Sequence, residues 1–315
     1  MRLSNDLFWG FFGFLTVKLV FNLAMLYIIF KRLELKRPDL TITRKFLTYS
    51  WPLTFSNLAG GILTKADRYF ISYFLGPAAT GGYNIIYSAA SFVDTYTVPL
   101  RKNLSVYLPK IWDRGEHGLV KERVSQALLY YFVFSSGSLV GIALLLRPLA
   151  KFVFDWNPDK FANLEWLVGI VGLGIIALGV SRMQFHILHL KELTKKRLLF
   201  QIMGAIMNVI VNFLLIPEIG LMGAALATFI SYLMVIVLAH SVTKLDFRKD
   251  LFVRKLLKTF LLCILLAAGL VFLPKSDIST FAMSLSIGAI FYLGAIYLTG
   301  VISRDEITRL LFDHS

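Results

Sequence analysis

The sequence predicts an all-α, polytopic integral membrane bundle of about nine transmembrane helices, and three observations predict it. The 315 residues are 57% hydrophobic and only 17% charged, against about 45–50% and about 25% in soluble domains. The apolar excess recurs along the whole chain in stretches near the roughly 20 residues a bilayer-crossing helix needs. Lys and Arg are dense in every second connection and sparse in the others, which is the mark of positive-inside sorting.

The elements follow in order. Span one covers 8–30 and carries Lys18 near its middle. Span two, 47–72, carries Lys65, Asp67 and Arg68. Span three, 80–108, carries Asp94, Arg101 and Lys102. Spans four and five cover 125–147 and 163–189, the second with Arg182. Between them, Asp155-Trp156-Asn157-Pro158-Asp159 reads as an exterior turn, since its spaced acids lack the rest of an EF-hand. Spans six and seven, 197–216 and 220–243, meet at a short turn. Pro217 breaks the first helix, and Gly220 and Gly223 let the next start tightly. The run Gly223-Ala224-Ala225-Leu226-Ala227 is a small-residue face of the kind that lets helices approach closely in lipid. With Gly204 and Ala205 of span six, it is expected at helix contacts. Spans eight and nine cover 255–273 and 280–301.

The connections 31–45, 109–124, 189–198 and 244–258, with the tail 302–315, hold 22 Lys and Arg. The opposite-side segments 1–7, 73–79, 147–162, 217–219 and 274–279 hold 5. This asymmetry puts the N-terminus outside and the C-terminus in the cytoplasm. An odd number of spans with an exterior N-terminus and no signal peptide leads to the expectation of further helices before Met1.

The net charge of +14 would point to nucleic acid in a soluble protein. Here it belongs to basic loops facing anionic lipid, so membrane lipids are expected as partners and nucleic acid is not. No Gly-rich phosphate loop, Walker sequence, or Ser/His/Asp or paired-carboxylate arrangement outside the bilayer argues for an enzyme. His186 and His189 are three residues apart, but no carboxylate or cysteine completes a metal site, and they read as placed at a helix end. No metal or cofactor is expected. The one cysteine, Cys263, sits in an apolar run and excludes an intrachain disulfide.

Several segments taken together resemble the polysaccharide and oligosaccharide exporters (flippases) of the multidrug/oligosaccharidyl-lipid/polysaccharide superfamily. They are Tyr49-Ser50-Trp51-Pro52-Leu53 leading to Asp67-Arg68-Tyr69-Phe70-Ile71-Ser72-Tyr73-Phe74-Leu75-Gly76; Thr80-Gly81-Gly82-Tyr83-Asn84-Ile85-Ile86-Tyr87-Ser88, ending at Leu108-Pro109; and the hairpin 208–228 followed by Ser231-Tyr232. The resemblance covers about residues 40–245. It implies two lobes of six helices rocking about a central cavity, with this chain as the C-terminal portion. Residues 1–45 would then be the last helix of an N-terminal lobe plus a linker. Residues 46–245 would be a six-helix C-terminal lobe, and 246–315 two additional helices and a cytoplasmic tail.

Charge inside a bilayer costs about 2.5–3.5 kcal/mol on insertion scales, so each such residue is a functional candidate. Lys18, Lys65, Arg68, Arg101 and Arg182 form a candidate substrate-binding track, because Arg and Lys pair with the phosphates of a lipid-linked sugar. Interface snorkelling is the competing account of Arg101, Lys102 and Arg182. Asp67 reads either as an ion pair with Arg68 or as part of a ligand contact. Asp94 reads either as the partner of Lys18 or Lys65 or as a carrier of a coupling proton.

The function this implies is flipping of a lipid-linked oligosaccharide or polysaccharide precursor across the cytoplasmic membrane. Its partners would be that substrate, a separate N-terminal lobe and glycan-assembly enzymes. Two alternatives stand beside it. A cation-coupled multidrug exporter would be expected to place acids in its cavity, whereas the intramembrane charges here are six basic against two acidic. A truncated or split subunit would act as a membrane scaffold for a glycan-assembly complex.

Overall fold

The computed structural model describes residues 2–32, 39–153, 163–245, 250–274 and 277–302. The expected turn at 155–159 and the tail from 303 onward lie outside the described residues. The helices are α1 (Arg2–Arg32), α2 (Leu40–Leu75), α3 (Pro77–Ala90), α4 (Thr97–Asp113), α5 (His117–Val153), α6 (Leu164–Leu190), α7 (Thr194–Ile219), α8 (Leu221–Thr243), α9 (Asp250–Phe272) and α10 (Ile278–Leu298). A 3-10 stretch, Ser91–Tyr96, joins α3 to α4. No strand occurs among the described residues. Every expected span is present as helix, but the third is broken in its middle. Among the described residues, seven helices are long and apolar enough to cross a membrane; α2 and the α3–α4 run, which hold most of the intramembrane charge, fall outside that set. The chain is a multi-pass membrane protein.

Contacts divide the chain into two units, Met1–Thr48 and Tyr49–Ser315. In the first, every described side chain of α1 from Phe8 to Arg32 is exposed. An apolar helix with no buried face needs lipid or another protein around it. Asp39 starts α2, its Oδ1 accepting from the backbone N–H groups of Thr41 (2.8 Å) and Ile42 (3.4 Å). Capping by an Asp oxygen satisfies donors that the first turn leaves unpaired.

The second unit is built around α5, which packs against α3, the 3-10 stretch, α4, α6, α9 and α10. The most extensive seams are α6 with α8 and α8 with α7. One cluster, including Tyr83, Ile86, Tyr131, Ile175 and Met183, fills the space among α3, α5 and α6. A second joins α5 to α9 and α10, where the Tyr292 hydroxyl donates to the Val133 carbonyl (2.7 Å). Cys263 packs at the edge of that cluster. The third brings Leu63 of α2 against Tyr232 and Val235 of α8.

The α7–α8 hairpin turns on Gly220, whose φ of +61° lies in the left-handed region. At Gly223 an added Cβ would stand 2.4 Å from the Leu215 carbonyl oxygen. Backbone therefore approaches backbone there, and only glycine fits. Gly204, Ala205, Gly223, Ala224 and Ala227 are all buried, as the small-residue pattern requires.

The break in span three has a cause three residues downstream. Pro99 sits in the first turn of α4. Its ring opposes the carbonyl four residues back, that of Thr95, and it has no N–H to donate. The backbone tightens to 3-10 geometry just before it. The Thr97 hydroxyl takes up the Asp94 carbonyl (2.7 Å), and the buried Ser135 hydroxyl reaches from α5 to the Val93 carbonyl (3.2 Å). Polar groups freed inside a membrane need such internal partners.

Candidate functional site

The 3-10 break places a carboxylate at its centre. Asp94 accepts from the Thr97 hydroxyl (2.8 Å) and, through Oδ2, from Arg182 Nη1 on α6 (2.5 Å). Their side chains are 23% and 32% exposed, so the pair is neither dry nor fully solvated. Asp94 is thus joined to Arg182, and not to Lys65. One turn along α4, the half-buried Arg101 lies within electrostatic reach of both Arg182 and Asp94. Its Nε is buried and has no hydrogen-bond partner.

A second group forms where α2 meets α3. Asp67 is buried, and its Oδ1 accepts from the Arg68 backbone N–H (2.9 Å). The Arg68 side chain turns inward: Nε donates to Asn84 Oδ1 (2.6 Å), Nη1 donates to the Thr64 carbonyl (2.9 Å), and the guanidinium lies 4.4 Å over the Tyr87 ring. Asp67 and Arg68 approach to 3.7 Å. Asp67 Oδ2 and the Tyr83 hydroxyl are both buried and lie beside each other. Tyr87 links the two groups, since it lies within electrostatic reach of both Arg68 and Arg182.

Lys65 is not brought into this arrangement. Lys65 is exposed on α2, one turn from the inward-turned Arg68. Lys18 is exposed on α1 in the first unit, its ammonium 4.8 Å over the Phe14 ring. Lys102 is exposed, as a snorkelling side chain would be.

The structure adds residues that sequence reasoning set aside. Arg182, His186 and His189 stand at i, i+4 and i+7 on α6, which is one helix face. Within 181–189 they are the residues left partly open, while Ser181 and residues 183–185, 187 and 188 are buried. Arg101 lies within reach of His186 from α4. Arg197, in the first turn of α7, contacts His189 through Nη1 (2.8 Å), donates Nη2 to Asn57 Oδ1 (2.7 Å), and lies 5.1 Å over the Phe185 ring. The spacing 182, 186, 189 was a readable signal. The approach of Arg197 across the turn was not. Among the described residues no group of three or more His, Cys, Asp or Glu is placed to hold a metal.

The whole arrangement is a partly open row of Arg68, Tyr87, Arg182, Arg101, His186, His189 and Arg197, with Asp94 as the acid facing it and Asp67 at one end. Chemically it can hold anions; it contains no nucleophile poised beside a base.

Comparison with known proteins agrees with the resemblance read from the residues. The family model described as polysaccharide biosynthesis protein matches residues 7–102. The uncharacterized membrane protein MJ1068 of Methanocaldococcus jannaschii is 23% identical over 225 residues, 70% of this chain and 42% of that protein. A second membrane protein of the same organism, MJ1375, is 26% identical over 252 residues, 71% of this chain and 56% of that protein. The chain thus spans about half the length of the curated relatives it matches. Among solved structures, the lipid II flippase MurJ in an inward closed conformation superposes with a TM-score of 0.66 at 19% identity, covering 90% of this chain and 60% of that one. That likeness establishes the fold. The polysaccharide-biosynthesis match over residues 7–102 and the shared fold are in line with the resemblance.

Proposed function

We propose that this chain forms the C-terminal portion of a flippase, which carries a lipid-linked oligosaccharide or polysaccharide precursor across the cytoplasmic membrane by alternating access. The observation that carries the reading is the row of guanidiniums along a broken helix within the membrane. Broken helices lining a cavity are where transporters of this general kind hold polar cargo. Three arginines, Arg68, Arg101 and Arg182, belong to that row; Asp67 pairs with Arg68 and Asp94 with Arg182, while Arg101 has Asp94 only within electrostatic reach. A phosphate-bearing head suits such a row, because guanidinium pairs with phosphate through two parallel hydrogen bonds. Lys18 and Lys65, exposed on α1 and α2, are further proposed contacts for the same head. Residues 1–45, 46–245 and 246–315 serve in this reading as the end of an N-terminal lobe, a C-terminal lobe and two added helices. An organic-cation exporter fits less well, since Asp94 is already taken by Arg182 and Asp67 is buried.

This chain spans only 42–60% of the proteins named above, at 19–26% identity, so no activity carries over from them and the test is direct. The protein, with the remaining helices of its transporter supplied, is reconstituted into liposomes holding a fluorescent lipid-linked saccharide. Protection of the probe from a membrane-impermeant reductant reports flipping. Wild type is expected to flip, and Arg68→Gln and Arg101→Gln to lose at least tenfold in rate at equal protein level. Equal rates in all three proteins would leave these arginines as membrane anchors and sink the reading.

A further inference from the structure

We infer that Arg197, His189 and Asn57 form a separate anion site, one that takes the phosphate of a polyprenyl-phosphate-linked head at the basic end of the bundle before the cargo reaches Arg101 and Arg182. The choice of cargo rests on the flippase reading; the site itself does not.

The argument begins with the partners of Arg197. Both are neutral. Asn57 offers an amide oxygen, and His189 offers Nε2 at 2.8 Å. Arginine can only donate, so His189 Nε2 must be the acceptor and carry no proton. Two further neighbours add no carboxylate: the Phe185 ring supplies a π face, and the Tyr49 side chain lies within electrostatic reach. The Nε–H is buried and has no partner. Among the described residues no carboxylate forms an ion pair with this guanidinium; the described pairs are Arg68–Asp67, Arg147–Glu165 and Arg182–Asp94. A half-buried cation held only by neutral groups is electrostatically incomplete, because removing charge from water is compensated only when an opposite charge takes its place.

The second observation is continuity. His189 and His186 share the open face of α6 with Arg182, and Arg101 faces His186. From Arg197 to Arg182 the row holds three guanidiniums and one carboxylate, Asp94. Arg101 also leaves its Nε–H buried and unmet. Two unsatisfied guanidinium donors at the two ends of an imidazole pair form a stepped path for one anionic group. The third observation is access. Asn57 is exposed on α2, so the Arg197 end of the row opens at the surface of the second unit. The adjoining turn adds cations outside: Lys191 is held in the field of Lys121, Lys196 and Lys244, which lowers its pKa after the larger effect of burial. That field draws anions toward the end of the bundle where Arg197 sits.

The site is tested on the intact chain in nanodiscs of zwitterionic phosphatidylcholine, with farnesyl diphosphate as the probe and farnesol as its uncharged control. Wild type is expected to bind the diphosphate and not the alcohol. Arg197→Gln is expected to weaken binding at least tenfold, and Lys258→Gln, at an exposed position on α9 outside the row, to leave it within twofold. Asn57→Asp is the variant that preserves the fold, because position 57 is exposed; it supplies the missing counter-ion and should abolish binding, whereas Asn57→Gln should retain it. Unchanged binding in both Arg197→Gln and Asn57→Asp would overturn the site. A parallel titration replaces part of the phosphatidylcholine with phosphatidylglycerol. If that lipid displaces the probe at equal mole fraction, the site is a general headgroup contact and the cargo assignment is overturned. The assay contains no transport step. Diphosphate binding at Arg197 without flipping in liposomes would therefore refute the flippase reading and leave this site standing.

Discussion

The α7–α8 hairpin and the α3–α4 run are each two helices joined by a short connection and are built on opposite principles. The hairpin has no charge between Phe200 and Ile216 and is joined by small residues, with the Gly223 Cα facing the Leu215 carbonyl. The α3–α4 run is broken at Ser91–Tyr96, carries Asp94 and Arg101, and is held by hydroxyls that cross to its carbonyls. The first is held by close backbone contact, which in lipid is a principal means of joining helices. The second depends on polar partners, which a membrane makes necessary as soon as the backbone departs from a helix. Close packing gives a rigid wall, and a satisfied break gives a charged position that can change partner. The proposed transport role sits on the second kind of element and is braced by the first.

The largest expected effect breaks the hairpin. Gly223→Leu drives a side chain into the backbone of Leu215 and Ile216, where no rotamer can escape. Its cost should exceed the roughly 1–3 kcal/mol usual for overpacking a core. Even Gly223→Ala should be poorly tolerated, since the Cβ alone would stand 2.4 Å from an oxygen. Folded yield after solubilisation, followed by equilibrium unfolding in detergent, measures both. Wild-type stability for either variant would mean that the helices are further apart than described.

An intermediate effect is expected at the break. Asp94→Asn leaves Arg182 without its acid. Removing one partner of a fully buried pair costs about 3–5 kcal/mol. Here the side chains are 23% and 32% exposed, so water recovers part of the loss and about 1–2 kcal/mol is expected. Asp94→Asn combined with Arg182→Gln should recover most of it, because no unpaired charge remains. A double variant less stable than either single would show that Asp94 and Arg182 each hold something besides the other.

The difference between the two elements also explains what could be read without coordinates. Helix positions were legible, since runs of apolar residues near the thickness of a bilayer admit little else. The hairpin was legible down to its contact residues, because Gly220 and Gly223 are local signals and small size is itself the mechanism; Pro217, expected to break the helix, instead lies inside the last turn of α7, which runs on to Ile219. The break was not. Ser91–Tyr96 contains neither Gly nor Pro, and apolar character runs on to Leu108. Pro99 was the available clue, and it acts on residues before it. The site was legible only in part. Arg68, Arg101 and Arg182 stood out as charges in lipid, but their partners Asn84, Tyr87 and Asp94 come from other turns and helices. His186, His189 and Arg197 do not stand out in the sequence, because the first two lack a third ligand that would make them a metal site and the third lies beyond a turn whose path is a tertiary fact.

The smallest expected effect sharpens the comparison most, because it uses one residue type at one depth of burial. Ser135 and Ser231 are both fully buried. The Ser231 hydroxyl donates to the Ala227 carbonyl of its own helix (2.6 Å), which the backbone already serves. The Ser135 hydroxyl leaves α5 and donates to the Val93 carbonyl at the break (3.2 Å). Deleting the first bond leaves the α8 ladder intact, so Ser231→Ala should be close to neutral. Deleting the second removes a partner from a carbonyl in 3-10 geometry, where the local backbone supplies fewer donors. Ser135→Ala should therefore cost about 1 kcal/mol, the usual net worth of one hydrogen bond. Unfolding both variants side by side in the same detergent cancels most systematic error. If Ser231→Ala were the more damaging, polar bracing would belong to the hairpin as much as to the break, and the division between the two elements would fail. If Ser135→Ala alone loses stability, the break is an element that the rest of the bundle has to hold in place.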